Sequence, residues 1–293
     1  MDDASADATG AAAAAADDGS GRLQVIRLAE NVGPAEARNR AIAAARAPLL
    51  CILDADDYFL DGRLGRLLSA PRTWDLIADD IVMVRGREAA SAAGLVTGPG
   101  RPQRLTLATF VTGNIARPGA SRRELGFLKP IMRRGFLDRQ GLRYDPRLRL
   151  GEDYALYVEA LAAGAVFAVT APCGYVAVER SNSLSAQHRT DDLGAMLAAL
   201  PVPVFGSGAG DPLDPHRAPT PNCSQHRRVL DRRRAQGYAA ALRELLGTPL
   251  AWRHILSVTL AAKLGRLVPA PAPDRETGPR LLLGPERRLE PAR

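Results

Sequence analysis

The sequence predicts an α/β fold: a mixed sheet flanked by helices, followed by a basic helical segment. Three observations carry this reading. Apolar runs near residues 23–28, 49–53 and 76–84 have strand length and alternate with stretches of helical composition. The run at 49–53, Leu-Leu-Cys-Ile-Leu, is continuously apolar, as expected of a strand covered on both faces. The chain has 293 residues, 46% hydrophobic and 24% charged, enough for one large domain with a real core and an accessory segment.

The elements follow in order. A polar, turn-like start (Asp2-Asp3-Ala4-Ser5) leads into an alanine-rich helix and then the short strand at 23–28. After the loop at 29–33, Pro34 suits the first turn of a helix, where its missing N–H costs least. The apolar strand at 49–53 stops at Asp54, and a further strand is expected near 76–84. Residues 85–104, rich in Gly, Pro and Ala, read as a surface loop. A helix near 153–163 should end at Gly164. The expected boundaries are a main domain over 1–200, a Pro/Gly linker over 201–225, a basic helical segment over 226–268 and a disordered tail over 269–293.

The net charge of +7 is unevenly spread. Residues 226–293 hold 14 Arg and Lys against 6 Asp and Glu, so the rest of the chain is close to neutral. Such a tail either binds an anionic surface or is a solvated, partly helical extension. Residues 250–267, with Trp252, Arg253, Lys263 and Arg266 among apolar neighbours, suit a helix lying on a membrane or packed on the main domain. No apolar run reaches the roughly 18 residues of a membrane-spanning helix. The N-terminus has no basic region of a signal peptide. Cys51, Cys173 and Cys223 show no paired spacing, which argues against a disulfide framework or zinc site and for a cytoplasmic setting.

The chemistry-bearing feature is the run Asp54-Ala55-Asp56-Asp57 at the end of an apolar strand, where α/β sheets hold their ligands. Carboxylates this close repel unless a cation shares them, and Mg²⁺ or Mn²⁺ would join carboxylate to phosphate oxygens. The same run also suits a turn whose acids cap a following helix. Arg38, one strand–helix unit upstream, is either a surface arginine or a planar donor fork for a nucleotide. Glu152 and Asp153 by themselves read as the acidic start of a helix.

Taken together, these runs resemble a known family. Asp2-Asp3-Ala-Ser-x-Asp-x-Thr, Asn31-x-Gly-x-x-x-Ala-Arg-Asn39, Asp54-Ala-Asp-Asp57, Gly141-Leu-Arg-Tyr-Asp145 and Gly151-Glu152-Asp153-Tyr154 stand in the order of the family 2 glycosyltransferases of the GT-A fold. Gly113-Asn114-Ile115, Gly126-Phe127-Leu128-Lys129-Pro130 and Arg180-Ser-Asn-Ser-Leu-Ser185 resemble the members that build succinoglycan-type exopolysaccharides. The resemblance implies inverting transfer of a hexose, glucose by type, from a UDP-sugar to a polyprenyl-diphosphate-linked saccharide at the cytoplasmic membrane face.

It also implies roles. Asp3 would contact the uracil with Arg38 and Asn39 nearby; Asp54 and Asp56 would hold ribose and metal (Mg²⁺ or Mn²⁺), supported by Asp57. Asp153 would be the catalytic base, with Glu152 as the alternative. Lys129 and Arg133 would meet the acceptor's diphosphate, and His188 the donor's. The family's first strand, helix and second strand are expected ahead of Asp2-Asp3, so a segment upstream of Met1 is expected too. Without it, a weak or inactive transferase is the alternative, as is a basic protein that binds membrane or nucleic acid through its tail. The processivity motif Gln-x-x-Arg-Trp is absent, so single addition is expected. Nucleic acid is not an expected partner of the transferase. A sugar nucleotidyltransferase would need a Gly-rich basic loop after its first strand, and none is found.

Overall fold

The computed structural model describes residues 1–85, 88–114, 124–179 and 279–283. They form two mixed sheets with helices packed against them. In chain order the elements are α1 (Thr9–Ala15), α2 (Pro34–Ala44), β1 (Leu49–Cys51), β2 (Tyr58–Phe59), α3 (Arg63–Leu68), β3 (Leu76–Asp79), β4 (Val82–Arg85) and β5 (Gln103–Leu105). They continue with α4 (Leu107–Gly113), β6 (Ile131–Arg133), α5 (Arg134–Gln140), α6 (Glu152–Ala162), β7 (Phe167–Thr170), β8 (Tyr175–Glu179) and β9 (Arg280–Leu281).

The larger sheet runs β1-β6-β3-β7-β5 and the smaller β2-β8-β4-β9. Two long stretches of chain pass through both. β3 pairs in parallel with β7 in the first sheet, and their continuations β4 and β8 pair in parallel in the second. The expected strand at 76–84 is therefore two strands, interrupted at Asp80 and Ile81. The interruption is stabilised by Asp79, whose carboxylate accepts the N–H groups of Cys173 (3.0 Å) and Tyr175 (3.1 Å) where the ladder lapses. A buried backbone donor without a partner is costly, and this side chain supplies two acceptors.

β3 is the strand covered on both faces: Leu76, Ile77 and Ala78 are fully buried. The sequence points to the run at 49–53 for that position, and the structure corrects this. β1 pairs with β6 alone, antiparallel, as an edge strand of three residues, and Leu53 is 46% exposed. The expected strand at 23–28 is corrected as well. It makes a single parallel bridge between Arg27 and Asp2, with Leu23 and Val25 exposed.

α2 starts as expected, with Pro34 at its first position. Gly33 before it has φ +86°, a conformation that side chains rarely adopt. α6 ends at Ala162 with Gly164 just beyond, also as expected. It is buried along much of its length, with Phe110 of α4 stacked on Tyr154 (5.0 Å) and Tyr157 edge-on to Phe167 of β7 (5.6 Å). Hence the helix is fixed against the sheet and its first turn is held in place.

The stretch at 85–104 is not loop throughout: it includes a 3-10 segment, Glu88–Leu95, and the start of β5. The tail expected to be disordered is also corrected over its described part. Arg280 and Leu281 pair with Met83 and Val82 of β4, and Leu282 and Leu283 are buried. The linker at 201–225 and the basic segment at 226–268 lie outside the described residues. Among the described residues, no helix is long and apolar enough to cross a membrane.

Candidate active site

The site assembles from four pieces of chain: α2, the turn after β1, the loop before β6 and the first turn of α6. The turn is the acidic run itself. Asp57 N–H bonds to the Asp54 carbonyl (3.1 Å), and the chain then enters strand β2. No helix begins there, so the helix-cap reading of the run is ruled out.

Arg38 lies at the centre. One arm of its guanidinium reaches Asp54 (2.7 Å); the other reaches Glu152 (2.7 Å) and Asp153 (3.4 Å). Its central carbon lies over the Tyr144 ring, 5.4 Å from the ring centroid. Lys129 completes the arrangement from the loop before β6, with its ammonium 2.5 Å from Asp153 and 2.9 Å from Asp54. Two cations thus face three carboxylates, leaving one negative charge in excess when all are ionised. The acidic first turn of α6 directs both of its side chains across the crevice to these cations.

Burial sets the electrostatics. Desolvation by itself would lower the pKa of Arg38, but Asp153 foremost, then Tyr144, Asp54 and Glu152, raise it above the ordinary arginine value. Lys129 is likewise raised against its own desolvation, by Asp153 and then Asp54. Asp54 is lowered despite burial, through Lys129 and then Arg38. Asp57 behaves oppositely: burial raises it, although the Tyr175 hydroxyl (2.7 Å) and the Val178 N–H (3.0 Å) donate to it.

Several expected residues are occupied elsewhere. Both carboxylate oxygens of Asp3 accept backbone N–H groups, from Val32 (2.8 Å) and Gly33 (2.9 Å), which shapes the loop ahead of α2. Asn39 uses its whole amide on the Tyr144 backbone, donating to the carbonyl (2.8 Å) and accepting from the N–H (2.9 Å). Asp57 is tied to β8. Arg133 points away from the cluster, bonding the Trp74 and Arg72 carbonyls and lying over the Trp74 ring at 4.6 Å. Lys129 is 6% exposed and already engaged by two carboxylates, so it is not a free cation awaiting a diphosphate. His188 lies outside the described residues.

Three features escaped the sequence. Asp2, rather than Asp3, is the buried one of the pair, and its Oδ2 is buried without a hydrogen-bond partner, 3.7 Å from Arg27. Arg63 and Asp79 form a fully buried pair (2.7 Å) behind the cluster. Tyr175 joins the acidic run's two ends, accepting from the Asp54 N–H (3.4 Å) while its hydroxyl bonds Asp57. A charged residue closing the apolar stretch Leu76-Ile77-Ala78-Asp79 was the available signal for the second; the others had none.

The comparisons with known proteins bear on this arrangement. Glycosyl transferase family 2 matches residues 1–92. Over 279 residues the chain is 46% identical to the succinoglycan biosynthesis protein ExoU of Rhizobium meliloti (strain 1021), covering 93% of this chain and 81% of that protein. The chain belongs to glycosyltransferase family 2. This family 2 glycosyltransferase is also 38% identical over 285 residues to the succinoglycan biosynthesis protein ExoO of the same organism, covering 91% of this chain and 77% of that one. Its fold is GT-A, as in S. aureus TarS residues 1–349, solved with UDP-GlcNAc (TM-score 0.52, 18% identity, 89% of this chain and 70% of that one).

Among the described residues, no group of three or more His, Cys, Asp or Glu is arranged to hold an ion. Asp54 is taken by Arg38 and Lys129, and Asp57 by Tyr175 and Val178, so the expected three-carboxylate site is not assembled. Asp56 is the third carboxylate of the run. One carboxylate with substrate phosphate oxygens is a donor set that Mg²⁺ accepts.

Proposed function

We propose that this glycosyltransferase moves a hexose, glucose by type, from a UDP-sugar to a lipid-diphosphate-linked oligosaccharide in exopolysaccharide assembly, with inversion at the anomeric carbon. One observation carries the site assignment: the Arg38 guanidinium joins Asp54 of the acidic run to Glu152 and Asp153 of α6. Donor end and base end of a transfer site are thereby within reach of one side chain. The exopolysaccharide reading is supported by two relatives named for succinoglycan biosynthesis. A uridine donor is supported by the UDP-GlcNAc complex of TarS, on the same fold.

In this reading Asp153 accepts the proton of the acceptor hydroxyl as its oxygen bonds to the anomeric carbon. The bond to UDP breaks on the opposite face, and UDP leaves with the electron pair. General-base help of this kind is typically worth ~10²–10⁴-fold. Arg38 holds Asp54, Glu152 and Asp153 in one fixed arrangement, so the donor and base ends of the site keep their spacing. Asp56 would hold a divalent cation, which when bound would supply Lewis-acid stabilisation of the leaving group.

The test is UDP release from a panel of UDP-sugars with Mg²⁺ or Mn²⁺. Asp56→Ala and Asp153→Asn are each expected to abolish transfer. Full activity in both would overturn the site, and release from a different nucleotide-sugar class alone would overturn the donor.

A further inference from the structure

The proposed reaction gives Lys129 no part, yet its setting is unusual. An isolated ammonium is expensive to bury, and a lysine in a surface loop is ordinarily solvated. This one is 6% exposed, and its backbone is fixed from both sides. The Tyr157 hydroxyl of α6 donates to the Leu128 carbonyl (2.8 Å), and Arg63 donates to the Lys129 carbonyl (2.9 Å). Arg63 is itself held by Asp79 (2.7 Å) and lies over the rings of Phe59 (4.4 Å) and Tyr175 (5.1 Å). Pro130 follows and confines Lys129 to extended backbone. The side chain therefore starts from a fixed point and ends between two carboxylates.

We infer that Lys129 is a positioning residue for the transfer, a built-in cation that joins Asp54 of the acidic run to Asp153 of α6 and sets Asp153 where the acceptor hydroxyl must come. The inference rests on the reading of Asp153 as the base. Two alternatives are weaker on geometry. A lysine meant for an acceptor's diphosphate would not have both near carboxylates at 2.5 and 2.9 Å. A lysine kept for stability alone would be less stabilising than an apolar residue of similar volume at so buried a point. Arg38 also touches both carboxylates, but through a weaker 3.4 Å contact to Asp153, so Lys129 is that carboxylate's closer cation.

The experiment uses the full chain and two readouts. In the first, UDP release from UDP-glucose with Mn²⁺ is measured for wild type, Lys129→Ala, Lys129→Arg and Asp153→Asn. Lys129→Ala is expected to lose on the order of 10²-fold in kcat, with a smaller change in KM, and Lys129→Arg to retain more. Added ethylammonium, but not ethanol, is expected to restore part of the Lys129→Ala rate, which a purely structural role would not allow. Wild-type turnover in Lys129→Ala would overturn the inference while Asp153→Asn is inactive. An active Asp153→Asn would instead overturn the base reading on which it rests. The second readout needs no donor. Urea midpoints of Lys129→Met, Asp153→Asn and the double variant are expected not to add, and strict additivity would overturn the bridge.

Discussion

Arg38 and Asn39 are neighbours on α2, yet their side chains serve different ends. Arg38 spans the crevice, whereas Asn39 is tied at both ends of its amide to the Tyr144 backbone. The resemblance groups the two as a nucleotide-contacting pair, because a sequence pattern records that residues recur together and not which way each points. Facing directions follow from the 3.6-residue period: adjacent positions diverge by about 100°. Asn39→Ala is therefore expected to cost about 1–3 kcal/mol of stability, the range for orphaning buried backbone partners. The KM for the donor should stay near the wild-type value. A raised KM with unaltered stability, from urea titration beside donor kinetics, would return Asn39 to the nucleotide. The same reasoning separates Asp2 from Asp3, since successive residues of extended chain point to opposite sides. Asp3 serves the loop, and Asp2 is buried with one oxygen unpartnered.

At the scale of elements, α2, α6 and the acidic turn were legible because their signals are local. Pro34, Gly164 and the abrupt end of an apolar run are read within a few residues. Strand position was not legible. β1 is more apolar in sequence than β3's surroundings, yet β3 is central and β1 lies at an edge, because pairing order depends on chain far away. The break between β3 and β4 was missed for a related reason. Asp79 and Asp80 look like a turn on a surface, whereas Asp79 is 1% exposed and satisfied by Arg63 and two N–H groups. This pair fastens α3, β3, β8 and the Lys129 carbonyl together. Arg63→Met would leave Asp79 buried without its cation, and loss of one partner from a buried pair typically costs about 3–5 kcal/mol. The expected result is a lowered urea midpoint of that size. A loss below about 1 kcal/mol, as for an exposed pair, would show that the two sheets do not depend on it.

For the molecule as a whole, the described C-terminal residues matter more than their place in a Pro- and Arg-rich tail suggested. β9 closes the edge of the smaller sheet with only two ladder pairs, while Leu282 and Leu283 bury behind it. Two backbone N–H groups anchor the turn after β9: Leu282 N–H donates to the Ile81 carbonyl and Leu283 N–H to the Asp80 carboxylate, each at 2.8 Å. So short an attachment has little stability to spare, and a modest electrostatic contribution decides whether it opens. Glu179 at the end of β8 makes that contribution by pairing with Arg280 of β9 and, at 2.7 Å, with Arg85 of β4. Burial opposes ionisation, but the bonds from Arg85 and Arg280 hold its carboxyl below the ordinary 4.5. The fold therefore favours the charged form. Its contribution is complete above 4.5 and is lost as pH falls through the lower folded value. Hydrogen-exchange protection at Leu282 and Leu283 is expected to fall as the pH drops below the ordinary glutamate value, while protection in β3 and β7 persists. Glu179→Gln should show the weakened attachment already at neutral pH. If its protection there matches that of the wild type, burial of the two leucines alone holds the strand, and the carboxylate has no part in it.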